Sequence, residues 1–173
     1  MDHRDRVRQI ARPRESCAGL QEARAAARVD AAAVRGLLET VHDPEIPTIS
    51  IVDLGIVERF DVARDVIRVE LLPTFVGCPA LDAIAAAVEE RLAGFGRPVE
   101  VRFGFSVPWT TDRITERGRR HLAKSGFAPP GDDTCPYCGS ADVLTDNLFG
   151  PTQCRSTRYC RSCRQPFEAF KLV

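Results

Sequence analysis

The chain has 173 residues, enough for one domain of about a hundred residues and a small second unit. It is 44% hydrophobic and 28% charged, as in an ordinary globular protein, and no apolar run approaches the ~18 residues of a membrane span. The 24 basic residues balance the 24 acidic ones, so net charge gives no support for binding to nucleic acid or to an anionic membrane.

Residues 1–28 combine arginine, alanine and glutamate without a clear apolar stripe, and we expect a mobile or loosely helical arm. Its arginines are not accompanied by the apolar segment of a secretory signal peptide, so a cytoplasmic location with reduced thiols is expected. Four of the seven cysteines form two Cys-x-x-Cys pairs, which in a reducing compartment indicates a metal site rather than disulfides.

Residues 29–128 predict a compact α/β domain with the element order helix, strand, strand, helix, strand, helix. The first helix is expected to follow an N-cap at Asp30 and to end before Pro44, because apolar residues recur there at helical spacing. A structured loop with two prolines follows as far as Gly55. Two β-rich segments, 56–61 and 66–72, are separated by a polar turn and predict a hairpin.

The second helix is expected to begin at or just after Cys78, with Pro79 in the first helical position, where a missing N–H costs nothing. Residues 99–105 alternate apolar and polar side chains and predict a third strand. The third helix is expected over about 111–125, where Gly126 ends it.

Beyond a linker at 129–133, residues 134–173 are too few to bury a core of their own and need a cross-link such as a metal ion. The two Cys-x-x-Cys motifs place two sulfurs on each of two tight turns, which suits one tetrahedral zinc ion in a zinc ribbon. A redox pair is disfavoured because no thioredoxin-like β-α-β context surrounds either motif. Four protein ligands leave no open position, so the zinc is predicted to be structural. The predicted ligands are Cys135, Cys138, Cys160 and Cys163.

Cys154 is a further cysteine of this segment, and it has two interpretations: a small buried or half-buried residue, or an alternative metal ligand. The basic side chains of the same segment are offset by aspartates, which favours a solvated mixed surface over a contact with nucleic acid or an acidic partner. The basic residues are Arg155, Arg158, Arg161, Arg164 and Lys171, and the aspartates are Asp132, Asp133, Asp142 and Asp146.

Cys78 stands alone at the head of the predicted second helix. Free N–H groups and the helix dipole lower a thiol pKa at such a position, which favours a nucleophile or a soft metal ligand. The alternative is a small buried hydrophobic residue. The pair Glu39 and His42 is only half of a di-iron motif, and no dinucleotide, P-loop, nucleophile-elbow or zinc-protease motif occurs, so no conventional active site is expected.

Three segments of the α/β domain carry a family resemblance. Asp43-Pro-Glu-Ile-Pro47, the segment 51–57 and Thr74-x-x-x-Cys78-Pro79 resemble the small α/β domain of iron–sulfur assembly factors of the SufT and MIP type. Three further segments, 107–119, 149–154 and 163–167, resemble the PaaD (or PaaJ) family, whose members are components of ring-1,2-phenylacetyl-CoA epoxidase systems. The expected architecture is a small mixed-sheet α/β domain followed by a four-cysteine zinc ribbon.

The resemblance implies an accessory protein, not an enzyme, for a multicomponent oxygenase of aerobic phenylacetate degradation. Its implied partners are the oxygenase subunits, their reductase and the iron–sulfur assembly machinery, and its implied cargo is transient iron or an iron–sulfur cluster. It makes Cys78 the candidate for handling that cargo, with Asp43, Glu45 and Asp53 lining nearby loops. Asp43 and Glu45 have two interpretations, as oxygen ligands or as turn caps.

Two other functions stand beside maturation. A structural subunit would dock the reductase to the oxygenase without touching iron. A nucleic-acid-binding zinc ribbon would need a basic face that the charge balance does not supply, so it has the least support.

Overall fold

The structure is a computed structural model that describes residues 29–172. The predicted arm at 1–28 lies outside the described residues. None of the helices in the described part of the chain is long and apolar enough to cross a membrane.

The first unit is a three-stranded mixed sheet with helices packed on it. Its strands are β1 (Val57–Val62), β2 (Ile67–Leu71) and β3 (Val99–Phe103), in that spatial order. β1 and β2 form the predicted antiparallel hairpin, while β3 runs parallel to β2 after a crossover through helix α2 (Leu81–Leu92). This helix packs against β3 and against helix α1 (Ala31–Leu38). The predicted element order and the mixed α/β class are confirmed, with strand ends that differ by one or two residues.

Helix α1 begins where the sequence places it and ends sooner. The Asp30 carboxylate accepts a hydrogen bond from the amide of Ala32 at 3.1 Å, which confirms the N-cap. After Leu38 the chain tightens into i+3 turns, and His42 then pairs with Ser50 in a short antiparallel bridge. The loop with two prolines, called the proline loop below, therefore begins earlier than the apolar spacing predicts. The bridge between His42 and Ser50 closes it.

The second helix begins three residues after Cys78, so the predicted start at or just after Cys78, with Pro79 in the first helical position, is wrong. Gly77 has a φ of +80°, a left-handed conformation that favours glycine and interrupts a right-handed helix. Gly77 lies within a turn in which the amide of Cys78 donates to the carbonyl of Phe75, and a second turn follows in which the amide of Leu81 donates to the carbonyl of Cys78. Helix α2 begins only at Leu81, so Cys78 lies in a turn and outside the helix.

The predicted third helix is split in two. A single 3₁₀ turn, Thr111–Arg113, is separated from helix α3 (Glu116–Lys124) by extended backbone at Ile114. Thr115 is the N-cap of α3, and its hydroxyl accepts from the amide of Gly118 at 3.0 Å.

The second unit is a four-stranded sheet with the order β4-β7-β6-β5. Its strands are β4 (Phe127–Ala128), β5 (Val143–Asn147), β6 (Arg155–Cys160) and β7 (Pro166–Phe170). β4 precedes the predicted linker and pairs in parallel with β7, so the chain joins the second sheet before it leaves the first unit. The division into 29–128, 129–133 and 134–173 remains a prediction from sequence.

The two units share their hydrophobic packing. The small cluster of the second unit contains Ala128, Phe167 and Ala169 with two cysteines, which is little apolar surface for a stable fold. Phe170, at the end of β7, belongs instead to the main core and packs against Trp109 with ring centroids 5.8 Å apart. The second unit is therefore seated on the α/β domain.

Candidate functional site

Four cysteines converge at one end of the second unit. The first pair lies in the turn before β5, and the second pair begins at Cys160, the last residue of β6. The antiparallel pairing of β5 with β6 brings the two pairs together. Each pair is closed by the same turn: Gly139 donates to the carbonyl of Cys135 and Arg164 to that of Cys160, both at 2.8 Å. Gly139 and Arg164 have φ values of 72° and 61°, so both turns end in a left-handed residue.

The sulfur positions fit one tetrahedral ion. All four Sγ atoms lie within 4.8 Å of one another, and the pairs Cys135–Cys163 and Cys138–Cys160 are 3.6 Å apart. A tetrahedron with metal–sulfur bonds of ~2.3 Å has edges of about 3.8 Å, close to these separations. The structure thus brings together the four cysteines that the sequence singles out.

Two thiols of the cluster differ strongly in how readily they ionise. The Cys163 amide lowers the pKa of Cys160 to about 7, because it donates to that sulfur. Burial raises the pKa of Cys163 to about 12, with its thiol neighbours adding to the effect. A bound divalent cation would replace the retained protons and neutralise the crowded sulfurs.

A second pair of cysteines faces a cavity between the two units. The cavity has a volume of about 310 Å³, and its walls are the loop 74–79 of the α/β domain and the loop 149–154 of the second unit. Cys78 projects from the first loop and Cys154 from the second, and both are half-buried. The half-buried interpretation of Cys154 agrees with the structure.

Cys154 is held from several sides. Its sulfur lies 3.1 Å from the hydroxyl of Thr152, and its carbonyl accepts from the amide of Lys171 at 2.9 Å. Burial raises the pKa of the Cys154 thiol; Thr152 and the charge of Arg155 oppose this, while Asp43 and Cys78 add to it. The thiol of Cys154 therefore responds electrostatically to both Asp43 and Cys78 of the α/β domain.

Arg155 connects the cavity loop 149–154 to the α/β domain. Its side chain is only 6% exposed and lies between two carboxylates, donating to Glu45 at 2.9 Å and Glu168 at 2.7 Å. Its Nε donates to the hydroxyl of Thr152, the same group that contacts Cys154. The prediction of a solvated surface is wrong for Arg155, because these partners bury it.

The acidic candidates divide between two places. Asp43 is buried and uses one carboxylate oxygen to accept from the amides of Glu45 and Ile46, the geometry of a turn cap. Burial raises the pKa of Asp43 more than these hydrogen bonds lower it. Glu45 is exposed and pairs with Arg155.

Like Asp43 and Glu45, Asp53 is not one of the residues that line the cavity. Its carboxylate accepts from the guanidinium of Arg117 at 2.8 and 2.9 Å and from the hydroxyls of Thr115 and Ser50. Burial would raise the pKa of Asp53, but these hydrogen bonds outweigh it and lower the pKa. Asp53 therefore fastens the proline loop to helix α3.

Sequence reasoning missed the partnership of Cys154 with Cys78, and the anchoring role of Arg155. The available signal was the segment Phe149-Gly-Pro-Thr-x-Cys154, whose glycine and proline indicate a shaped loop ending in a thiol. Nothing in the spacing showed that this loop would lie against the loop of Cys78.

Two family models match the chain. Residues 31–103 match the iron–sulfur cluster assembly protein family, and residues 124–171 match the PaaD zinc beta ribbon domain. Together they cover both sheets and both groups of cysteines.

Individual relatives agree with these matches. A protein of Escherichia coli (strain K12), named as one of the subunits of 1,2-phenylacetyl-CoA epoxidase, is 34% identical over 148 residues, covering 79% of this chain and 90% of the relative. An Fe-S protein maturation auxiliary factor of Porphyromonas gingivalis is 32% identical over 89 residues, covering 50% of this chain and 84% of that protein.

Among solved structures, a domain of unknown function, DUF59, from Bacillus anthracis is 25% identical, with a TM-score of 0.49. The match covers 53% of this chain and 89% of the Bacillus anthracis chain. The identity and coverage of the E. coli relative, with the zinc ribbon match, decide the family. The chain belongs to the PaaD family of 1,2-phenylacetyl-CoA epoxidase components, and combines an iron–sulfur assembly domain with a zinc ribbon.

Proposed function

We propose that this protein is a non-catalytic maturation component of a phenylacetyl-CoA epoxidase system in aerobic phenylacetate catabolism, and that it helps to supply iron or an iron–sulfur centre to the oxygenase or its reductase. The observation that carries the proposal is Cys78, a thiol outside the four-cysteine cluster that faces a cavity on the domain matching iron–sulfur assembly proteins. The names of the two relatives support the same pairing of tasks.

The four-cysteine cluster has a separate, structural task in this proposal. Zinc is the proposed occupant, because four thiolates on two turns form a closed set with no position left for a substrate. The small apolar cluster of the ribbon needs such a cross-link to keep β6 and β7 in place. The proposed zinc site therefore holds the ribbon wall of the cavity and does not carry cargo.

A cytoplasmic location is part of the proposal. Six cysteines of the described residues are free thiols, and both the cargo site and the zinc site need them reduced. The proposed partners are the oxygenase subunits, the reductase and the cell's iron–sulfur assembly machinery.

The test is the iron content of the target proteins. Oxygenase and reductase are purified from wild-type cells, from cells lacking this protein, and from deletion cells that express Cys78→Ser. We expect both the deletion and Cys78→Ser to leave at least one target present but deficient in iron, with a matching loss of activity. Val76→Ala is the matched control, because Val76 is 80% exposed on the same loop and has no thiol.

Under this proposal, the oxygenase regains its iron only if the protein is present while the oxygenase is being made. Expression of the protein during synthesis of the oxygenase restores iron, whereas adding it to finished apo-enzyme without an iron source does not. Equal iron content in all strains, with activity lost in the deletion, would contradict maturation.

That outcome would favour a docking subunit that joins reductase to oxygenase. One observation supports this second candidate: large apolar side chains are exposed on both loops at the cavity, with Val76 80% and Phe149 74% exposed. A docking subunit would co-elute with the complex in fixed ratio on size exclusion, and a maturation factor would not. A nucleic-acid-binding ribbon keeps the least support, because acidic and basic residues balance.

A further inference from the structure

The cavity between the two units carries an inference beyond Cys78 alone. Its two thiols come from different units, Cys78 from the loop 74–79 and Cys154 from the loop 149–154. Neither belongs to the four-cysteine cluster, and both are half-buried and free. We propose that Cys78 and Cys154 together form one two-thiolate site for a thiophilic metal ion; its identity as Fe(II) rests on the proposed function.

The loops fix Cys154 toward the cavity rather than leaving it to pack at random. Arg155 is clamped between Glu45 of the α/β domain and Glu168 of β7, so the residue next to Cys154 is attached to both units. Thr152 bridges the Arg155 guanidinium and the Cys154 sulfur. If Cys154 served only in apolar packing, the ion pairs of Arg155 beside it would not be needed to fix its position.

The surroundings of Cys154 favour a neutral thiol until a cation arrives. Burial and the neighbouring Cys78 both raise the pKa of Cys154, so its thiol keeps its proton at neutral pH. When both sulfurs bind a divalent ion they bind it as thiolates, and any proton that a thiol still carries is released to solvent. No electron transfer is involved, so the step needs no oxidant or reductant.

The number of sulfurs separates this site from the ribbon site. Four thiolates complete the coordination of a structural zinc, and closed sites of that kind do not exchange their metal readily. Two thiolates leave coordination positions open, so a receiving protein can bind the same ion before this chain releases it. An incomplete ligand set is what a site for cargo requires.

The experiment measures Fe(II) binding under anaerobic conditions to the full-length, zinc-loaded, reduced protein. All proteins carry Cys17→Ser, so that Cys78 and Cys154 are the only thiols outside the four-cysteine cluster. Affinity is measured by competition with a chromophoric Fe(II) chelator, and X-ray absorption at the iron edge counts the bound sulfurs. Zinc content and far-ultraviolet circular dichroism are recorded for every variant.

We expect about one Fe(II) per chain with about two sulfur ligands. Cys78→Ser and Cys154→Ser should each weaken binding about tenfold or more. The double variant should be little weaker than either single variant, because chelation is already lost with the first thiol. Val76→Ala, which alters the Cys78 loop at an exposed side chain that does not line the cavity, should bind like the parent protein. Cys154→Ala repeats the test without the hydroxyl that serine would place near Thr152.

The proposal is overturned if the parent protein binds no Fe(II) beyond its zinc, if its iron shows a single sulfur ligand, or if Cys154→Ser and Cys154→Ala bind with parental affinity. These outcomes are distinct from failure of the proposed function. Intact two-thiolate binding with unchanged iron in the target proteins would refute maturation alone. Iron-deficient targets in the deletion strain, with Cys154 irrelevant to binding, would refute the two-thiolate site alone.

Discussion

Asp43 has two interpretations, as an oxygen ligand or as a turn cap, and its hydrogen bonds favour the cap. It lies close enough to the cavity to affect the pKa of Cys154, yet one of its oxygens already accepts two backbone N–H groups. Its raised pKa means that the folded chain binds a proton more readily than the unfolded chain does. The ionised form therefore costs some stability at neutral pH, and that cost disappears as the pH falls.

We predict that Asp43→Asn keeps the fold and Fe(II) binding, because the amide oxygen can accept the same two hydrogen bonds. Its free energy of unfolding at pH 7 should be unchanged or higher by up to about 1 kcal/mol. Asp43→Ala, which removes the cap, should lose about 1 kcal/mol. Urea unfolding and Fe(II) competition measure both variants. A tenfold loss of Fe(II) affinity in Asp43→Asn at unchanged stability would make Asp43 an oxygen ligand instead.

Asp53 has the opposite electrostatic character. Its pKa is lowered by Arg117, Thr115 and Ser50 despite its burial, so the carboxylate stabilises the fold above its usual pKa of about 4. That contribution is lost as the pH falls through the lowered pKa of the folded state. Asp53→Asn should cost about 1–3 kcal/mol at pH 7 and should flatten the acid side of the stability profile. Urea unfolding from pH 7 to pH 3 tests this, and equal acid-side slopes for both proteins would contradict it.

Single-residue roles were predictable from sequence where they depend on local spacing. The four-cysteine cluster follows from two short motifs, and the N-cap at Asp30 from one side chain and the next turn of helix. Arg155 depends instead on Glu45 and Glu168, which are distant in sequence. Its charge alone predicts a side chain exposed to solvent, because only the folded chain supplies the carboxylate partners that allow its burial.

At the scale of elements, helix α3 depends on a close approach to the proline loop. A Cβ placed on Gly118 would lie 2.7 Å from the backbone oxygen of Asp53 and 3.1 Å from Ile49 and Ile114 side-chain atoms. Gly118 is buried, and the loop at Asp53 is fastened to the same helix by hydrogen bonds. The glycine therefore serves helix–loop contact rather than flexibility.

We predict opposite signs for two glycine-to-alanine changes in helices. Gly118→Ala should lower the free energy of unfolding by about 1–3 kcal/mol, because the backbone oxygen of Asp53 cannot move without breaking the loop. Gly36→Ala in α1 should raise it by about 0.5–1 kcal/mol, since nothing lies within 4 Å of that Cβ and alanine is the better helix former. Urea unfolding followed by circular dichroism measures both. A stabilised Gly118→Ala variant would show that the loop yields.

Element order was predictable from hydrophobic periodicity, whereas element ends were not. The start of α2 was misplaced because Pro79 fits the first turn of a helix by its fixed φ, and Gly77 was not recognised as left-handed. The early end of α1 follows from the pairing of His42 with Ser50, which no local pattern reveals. Both errors fall on the loops that shape the candidate site.

For the whole molecule, the linker in the sequence predicts two independent cores, while the structure joins them in three ways. Phe170 of β7 packs in the main core against Trp109, Arg155 pairs with Glu45, and β4, which directly follows helix α3, pairs with β7. The ribbon's own apolar cluster is small. The order of the ribbon should therefore depend on its metal, and the stability of the α/β domain should depend in part on the ribbon.

We predict that purified protein contains about one zinc per chain and that Cys163→Ser or Cys135→Ser removes it, because three thiolates cannot complete the set. The ribbon should then unfold while residues 29–128 stay folded. Losing the burial of Phe170 removes about 1.5–3 kcal/mol, which lowers the melting temperature of the α/β domain by roughly 5–15 °C.

The single tryptophan, Trp109, reports this coupling directly, because it is buried, donates to the Leu54 carbonyl at 3.0 Å and faces Phe170. Its fluorescence should shift on zinc removal by a chelator and return when zinc is restored. Cys154→Ser is the control and should keep both its zinc and the native spectrum, since Cys154 is not one of the four clustered cysteines. Native zinc content after Cys163→Ser would contradict the ligand assignment. Loss of zinc with an unchanged Trp109 spectrum and melting temperature would instead show that the two units are independent, and that Cys154 is not held in place through the ribbon's metal.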